Sequence, residues 1–395
     1  MNAEYAVLVG LDWADQKHDL RCYYVMEEKE EAVMLSSTPE AMEQWCLKCA
    51  GQNPGGRLAI CLEQSRGPVV YELMKYDFVD LYPVNPVTLK KYREAFFPSG
   101  SKDDLKDAVL LLDLLRKHRE GLKKLQPDDS CTRVLRLLCE DRRKAVDART
   151  ALTNALGSTL KQYYPQALAL AGWSLHAELA CAMLMKWPNF ERISAATPQT
   201  VRRFYYAHQC RSETELQKRL DVIRSSCALT QDPAIVGPCM LRVQTLVAQI
   251  RGWNKAIGLY DQKIRQHWQD HPDATIFKSL PGAGEKLEPR LAVVFGTDRQ
   301  RFESAQQFSS YSGIAPVIQA SGKQQWIHWR WNCPKFHRQS LVEFADHSIG
   351  WSTWAKVCYI RIAGTRKGPS CRCTGVGVQM EPYHIPVLAD SYTIQ

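Results

Sequence analysis

Asp12 directly follows an apolar run at residues 7–11, where hydrophobic patterning alone gives no reason for a carboxylate, and Glu63 stands in the same position after Leu58–Leu62. Two acids at the ends of neighbouring strands can converge. Asp104 and Asp107 follow within Lys102-Asp103-Asp104-Leu105-Lys106-Asp107 at the start of a helix, and their i, i+3 spacing puts both on one face. Four carboxylates facing one point repel each other unless a cation neutralises them. Hard oxygen donors suit Mg²⁺, which keeps waters and takes a substrate phosphate as a further ligand. In phosphodiester chemistry such an ion activates an attacking oxygen and stabilises a leaving one. Taken singly, each acid has a plainer explanation: Asp12 can begin a turn, Asp103 and Asp104 can cap a helix, and Glu63 can be a loop residue. The order of acid after strand, acid after strand, then D-x-x-D on a helix is what argues for a shared site.

The elements that must position these acids can be read from periodicity. Residues 1–125 alternate strands (6–11, 20–26, Leu58–Leu62, 78–82) with helices such as 39–49, which predicts an α/β domain with a mixed sheet. From about Cys131 the pattern becomes helical, with Val134, Leu135, Leu138, Leu152, Leu156 and Leu160 recurring among Arg and Lys. A second long helix spans about 240–267, and the two can pair as an antiparallel or an intermolecular coiled coil. Residues 167–231 between them are mostly helical, broken at Pro188 and Pro198. A last, mainly helical unit begins near His271 and contains Ser279-Leu280-Pro281-Gly282-Ala283-Gly284-Glu285-Lys286. That Pro-Gly-x-Gly turn matches a helix-hairpin-helix pattern, so Gly282, Gly284 and Lys286 are candidates for nucleic-acid contact through backbone N–H groups at a helix start. Close helix packing would select the same glycines.

Composition narrows the function classes. The chain has 395 residues, 45% hydrophobic and 24% charged, enough for two or three globular units and unlike a disordered or fibrous protein. Its apolar runs fall well short of the roughly 20 residues a bilayer crossing needs, and the first ten residues lack the basic start of a signal peptide, so a cytoplasmic protein without membrane contact is expected. Fourteen cysteines are spread singly, which predicts reduced thiols; Cys46-x-x-Cys49 falls on the predicted helix without a second pair at zinc-finger spacing. The net charge of +9 concentrates towards the end, because residues 321–368 hold eight Lys or Arg against Glu343 and Asp346, together with five of the eleven tryptophans. Cations neutralise phosphates and flat rings stack on bases, so this segment predicts a nucleic-acid surface, with Lys335 and Arg338 among its contacts. A Trp-rich core with a solvated basic rim is the plainer alternative.

Five motifs together resemble the DEDD transposases of the IS-one-ten insertion-sequence family. They are Gly10-Leu11-Asp12-Trp13-Ala14-Asp15-Gln16-Lys17-His18-Asp19, Cys61-Leu62-Glu63, Lys102 to Ala108, Leu280-Pro281-Gly282-Ala283-Gly284, and Gly313-Ile314-Ala315-Pro316 followed by Ala320-Ser321-Gly322. The likeness runs from about Tyr5 to Gly368. It implies a RuvC-like, RNase H-type domain over 1–128 with Asp12, Glu63, Asp104 and Asp107 as the catalytic, metal-binding set for Mg²⁺. It further implies a helical or coiled-coil region over 129–270 and a C-terminal transposase domain over 271–368 whose serine nucleophile falls on Ser321. Members of the family act as homo-oligomers, dimers or tetramers, in which the serine of one subunit meets the acidic site of another, and a structured bridge RNA guides them to donor and target DNA. On residue type alone Ser321 would be an ordinary loop serine. Lys323, His328 and Arg330 are candidates for phosphate contact on proximity and charge.

The likeness ends at the tail. Residues 369–395 carry Pro, Gly, Cys and Tyr with no helical period. Reading from the second base of each codon, synonymous codons can be chosen that spell HHAAVRALAFKWNRIIFRCWLTRTPY, a string that looks like the family's next helix. A frameshift near Gly368 or Pro369 is therefore expected. The primary expectation is a Mg²⁺-dependent, RNA-guided DNA transposase and recombinase. The alternatives are an inactive nucleic-acid-binding remnant and a RuvC-like structure-specific nuclease that uses the carboxylates alone.

Overall fold

Leu58–Leu62 is buried along its whole length because it lies inside a sheet rather than at its edge. The protein is described here from a computed structural model covering residues 5–96, 104–298, 300–322 and 324–364. The tail at 369–395 and Lys323 lie outside the described residues. The chain divides into two units, 1–127 and 128–395.

The first unit contains β1 (Val7–Trp13), β2 (Lys17–Tyr24), β3 (Lys29–Ser36), α1 (Pro39–Gln52), β4 (Leu58–Leu62), α2 (Pro68–Leu73), β5 (Val79–Pro83), α3 (Pro86–Phe96) and α4 (Asp104–His118). The strands run in the order β3-β2-β1-β4-β5; β1 is antiparallel to β2 and parallel to β4. This is the mixed α/β sheet the sequence predicts. Alternation along β1 sends Val7, Val9 and Leu11 to one core with Met42, Trp45, Cys46 and Cys49 of α1. Leu8 faces the other way, with Ala59, Cys61 and the leucines of α4. The edge strand β3 has no counterpart in the sequence reading, because its Lys29, Glu30 and Glu31 lack an apolar alternation and its outer residues face solvent. Burial pushes the thiols of Cys46 and Cys49 up to about 12 and about 11, so both stay protonated at neutral pH.

On β5, Asp80 is buried and accepts hydrogen bonds from Tyr5 Oη at 2.8 Å and Arg57 Nε at 3.1 Å, with Lys124 Nζ at 2.7 Å. Burial alone would raise its carboxyl, but Arg57, Lys124 and Tyr5 outweigh burial and hold it at about 2. A carboxyl depressed in the folded state stabilises fully above its unfolded value and loses that contribution as pH falls through the folded one. Stability should therefore drop between about pH 4 and 2 by about 2 kcal/mol. Asp80→Asn should flatten this acid limb while destabilising the protein at neutral pH, as read by denaturant unfolding across that range; an unchanged acid limb would remove the assignment.

The second unit comprises α5 (Ser130–Tyr163), α6 (Ala167–Ala171), α7 (Glu178–Lys186), α8 (Phe190–Ser194), α9 (Pro198–Ala207), α10 (Glu213–Ser225), α11 (Pro233–Gln269), α12 (Ala274–Lys278), α13 (Gly284–Phe295), α14 (Ala305–Ser312), β6 (Val317–Ser321), β7 (Gln324–His328), α15 (Lys335–Trp351) and α16 (Thr353–Gly364). The long helices α5 and α11 pack antiparallel within the chain. Thr132 meets His271 at 2.9 Å, Arg142 meets Asp261 at 2.5 Å and Arg149 meets Asn254 at 3.0 Å, so numbers rise along one helix as they fall along the other. One end of the pair, around Leu156, Leu160, Val243 and Val247, is buried with α6 to α10. The other end sends Leu135, Cys139, Ile264 and Trp268 into a core shared with α12 to α15. The expected boundary at 270/271 thus falls inside one packed unit. Among the described residues no helix is long and apolar enough to cross a membrane.

Candidate active site

The parallel register of β1 and β4 pairs Leu11 with Leu62, so Asp12 and Glu63 stand one step further on at the same sheet end. The two-residue alternation of β1 turns Asp12 towards the face that carries Gly10, the face covered by α4, and Glu63 directly follows the last residue of β4. How closely α4 seats there is set by Gly10. A Cβ at Gly10 would lie 2.0 Å from the carbonyl oxygen of Ala108 and 2.5 Å from the amide nitrogen of Leu112, so only a residue without a side chain lets the helix backbone touch the strand. Asp107, next to Ala108, is buried and ion-paired with Arg93 of α3. Asp104 begins α4, but its side chain lies outside the described residues.

Two residues that the sequence reading left aside belong to this neighbourhood. Arg93 supplies the cation beside Asp107, and one of its own nitrogens, Nε, is buried without a hydrogen-bond partner. Asp19 is the cross-strand partner of Asp12 and is buried, with Lys17 at 4.0 Å. The pairing of Asp19 could have been inferred from the tight turn between β1 and β2, whereas the Arg93 contact is tertiary and leaves no local trace. Among the described residues no group of three or more His, Cys, Asp or Glu side chains is arranged to hold a metal ion. Mg²⁺ requires less, since one or two carboxylates with waters and substrate phosphate suffice. The hard oxygens of Asp12 and Glu63, at matched strand ends, fit that ion to this extent.

Ser321 lies in the second unit. It is not in a loop: it is the exposed last residue of β6, paired with Gln324 across a tight hairpin whose Gly322 has φ +59°. His328 is exposed at the far end of β7. The cations predicted for phosphate contact are partly committed elsewhere. Arg330 donates from Nε to Ala315 O at 3.1 Å and from Nη2 to Pro316 O at 3.4 Å, and Arg338 donates to Arg330 O at 2.8 Å, so both brace the neck of the hairpin. Lys335 is exposed at the start of α15. Lys286 is ion-paired with Asp261, and Gly282 abuts the backbone of His347 and Ser348 on α15, a packing reason for that glycine; Gly284, first residue of α13, has open space around it.

Comparison with known proteins bears on both units. Residues 9–165 match a family model of the IS110 type described as a transposase, and residues 274–359 match one described as transposase of the IS116/IS110/IS902 family. The chain is 24% identical over 331 residues to the "Mini-circle putative transposase for IS117" of Streptomyces coelicolor, covering 81% of this chain and 79% of that one. It is 24% identical over 307 residues to the "Insertion element IS116 uncharacterized 44.8 kDa protein" of Streptomyces clavuligerus, covering 76% and 71%. Over a shorter stretch of 100 residues it is 38% identical to the pilin gene-inverting protein of Moraxella lacunata, covering 24% and 27%. Two models of one family, matched in order and together spanning more than half of the sequence, show that the chain belongs to the IS110/IS116 family of transposases.

Proposed function

We propose that the chain is a Mg²⁺-dependent DNA recombinase of an insertion sequence that breaks and rejoins strands through a serine nucleophile. The observation that carries this reading is the matched position of Asp12 and Glu63 at one sheet end, with Asp12 on the face where Gly10 lets α4 seat. Asp12, Glu63, Asp104 and Asp107 would hold Mg²⁺ in a RuvC-like site, where the ion supplies charge neutralisation and polarises the phosphate. Arg93 balances the charge of Asp107. Ser321 supplies the attacking oxygen: Oγ gives up its proton and bonds to phosphorus as one phosphorus–oxygen bond to a sugar breaks, and the released sugar oxygen takes up a proton, so none is gained or lost overall. The phosphoserine link keeps the diester energy for rejoining. An alcohol is a weak nucleophile that needs electrostatic help, which the acidic site of a second subunit provides in a homo-oligomer. A structured bridge RNA directs the assembly to donor and target DNA. Likeness to a protein named for inverting a gene supports recombination over hydrolysis.

The test is trapping. Incubated with DNA bearing its element's ends and Mg²⁺ and then denatured, the protein should carry covalently attached DNA, and EDTA should abolish the attachment. Free cut ends without attached protein would instead make it a structure-specific nuclease. RNA purified with the protein should be enriched in one structured species; no enriched species would remove the guide.

One observation favours a second reading, an inactive nucleic-acid-binding remnant. Val357 and Ile360 lie three residues apart along α16, and both are exposed apolar side chains. A frameshift near Gly368 that removed a covering helix accounts for that exposure. Gene sequencing decides, because tail codons that cannot spell the shifted string end that idea, and a chain giving neither adduct nor cut ends is the remnant.

A further inference from the structure

The register of the β6–β7 hairpin sorts its side chains onto two faces. Ser321 pairs with Gln324, Gln319 with Trp326 and Val317 with His328, which places Ser321, Gln319, Gln324, Trp326 and His328 on one face. Ile318 pairs with Ile327 on the other. Trp326 is 46% exposed and makes no ring or cation contact with any described residue, unlike its neighbour Trp329, whose ring lies 5.1 Å from the Arg338 guanidinium. Trp326 stands directly opposite Gln319, and hence diagonal to Ser321, about 7 Å away by the ordinary spacing of such pairs. That span is of the order that separates a base from a neighbouring phosphate. The surroundings suit a polyanion, because residues 304–342 contain no Asp or Glu and include Lys323, Arg330, Lys335 and Arg338.

We infer that Trp326 is a base-stacking platform: it takes the face of an unpaired DNA base beside the phosphate that Ser321 attacks and so aligns that phosphate with the hydroxyl. Stacking is indifferent to base identity, so Trp326 positions the strand without choosing its sequence. This assignment rests on the serine reading for its purpose but not for its measurement.

The full-length chain carrying Trp326→Leu, which keeps apolar bulk without a flat ring, and Trp326→Phe, which keeps the ring, would be titrated against fluorescent oligothymidylate and a matched abasic oligomer. The Leu variant should lose about tenfold in affinity for oligothymidylate and little for the abasic strand, with Phe close to the parent. Equal affinity of parent and Leu variant for both strands overturns the proposal. An equal loss on both strands also overturns it, since the contact would then be to the backbone. A Leu variant that changes only the oligomer mass overturns it in favour of a protein interface on this ribbon. Ser321→Ala should keep the base-dependent difference; a covalent adduct persisting in Ser321→Ala would sink the nucleophile while leaving Trp326 in place.

Discussion

Ser321→Ala should eliminate the covalent protein–DNA adduct and lower strand exchange by about three orders of magnitude or more, while leaving unfolding within about 0.5 kcal/mol of the parent. The small stability effect follows from placement: Ser321 is exposed at the end of a two-stranded ribbon, and no described hydrogen bond uses its hydroxyl. The large catalytic effect follows from chemistry, since removing Oγ removes the atom that would bond to phosphorus. Ser321→Cys offers a further check, because a thiolate prefers softer centres than phosphorus and should keep the fold but support little exchange. Adduct yield on a denaturing gel reads the first quantity and denaturant midpoints the second. An alanine variant that still forms adduct would transfer the nucleophile to another residue.

Gly10→Ala should have the largest effect on folding. Its added methyl would lie 2.0 Å from one backbone atom of α4 and 2.5 Å from another, and neither can swing aside as a side-chain tip could. The helix must lift from the sheet, at a cost of about 3 kcal/mol or more, beyond ordinary overpacking of a core. Lifting α4 would also disturb the sheet face on which Asp12 stands, so binding of Mn²⁺ or Mg²⁺ to the proposed site, measured by calorimetry, should weaken with stability. Gly121→Ala is the control, because its new methyl would meet nothing within 4 Å. A Gly10→Ala protein as stable as the control would mean that α4 does not rest on β1.

How much of this was legible beforehand depended on whether the physics was local. The placement of Asp12 and Glu63 at one sheet end was legible because a carboxylate at the end of a run such as Leu58–Leu62 breaks a strong apolar pattern. The helices α5 and α11 were legible for the same reason, as Leu135, Leu156 and Leu160 recur at helical spacing over many turns. Their pairing within one chain was not, since the alternatives present the same apolar stripe; the polar contacts of Arg142 and Arg149 are what fix it. The β6–β7 hairpin escaped notice because both its faces are exposed, so Ile318, Trp326 and Ile327 never alternate between core and solvent. That Arg330 and Arg338 also donate to carbonyl oxygens at the neck of the hairpin was not legible, because composition records charge and not the acceptors nearby.

The antiparallel helices have a metrical consequence. A helix of 34 residues is about 51 Å long, and its partner lies against it, so the pair behaves as a stiff strut with a separate core fastened at each end. Measured along B-form DNA, that length equals about 15 base pairs. The strut would act as a ruler: whatever the two cores grip, their spacing is set by the number of helical turns between them and would change in steps of one turn if residues were inserted or deleted.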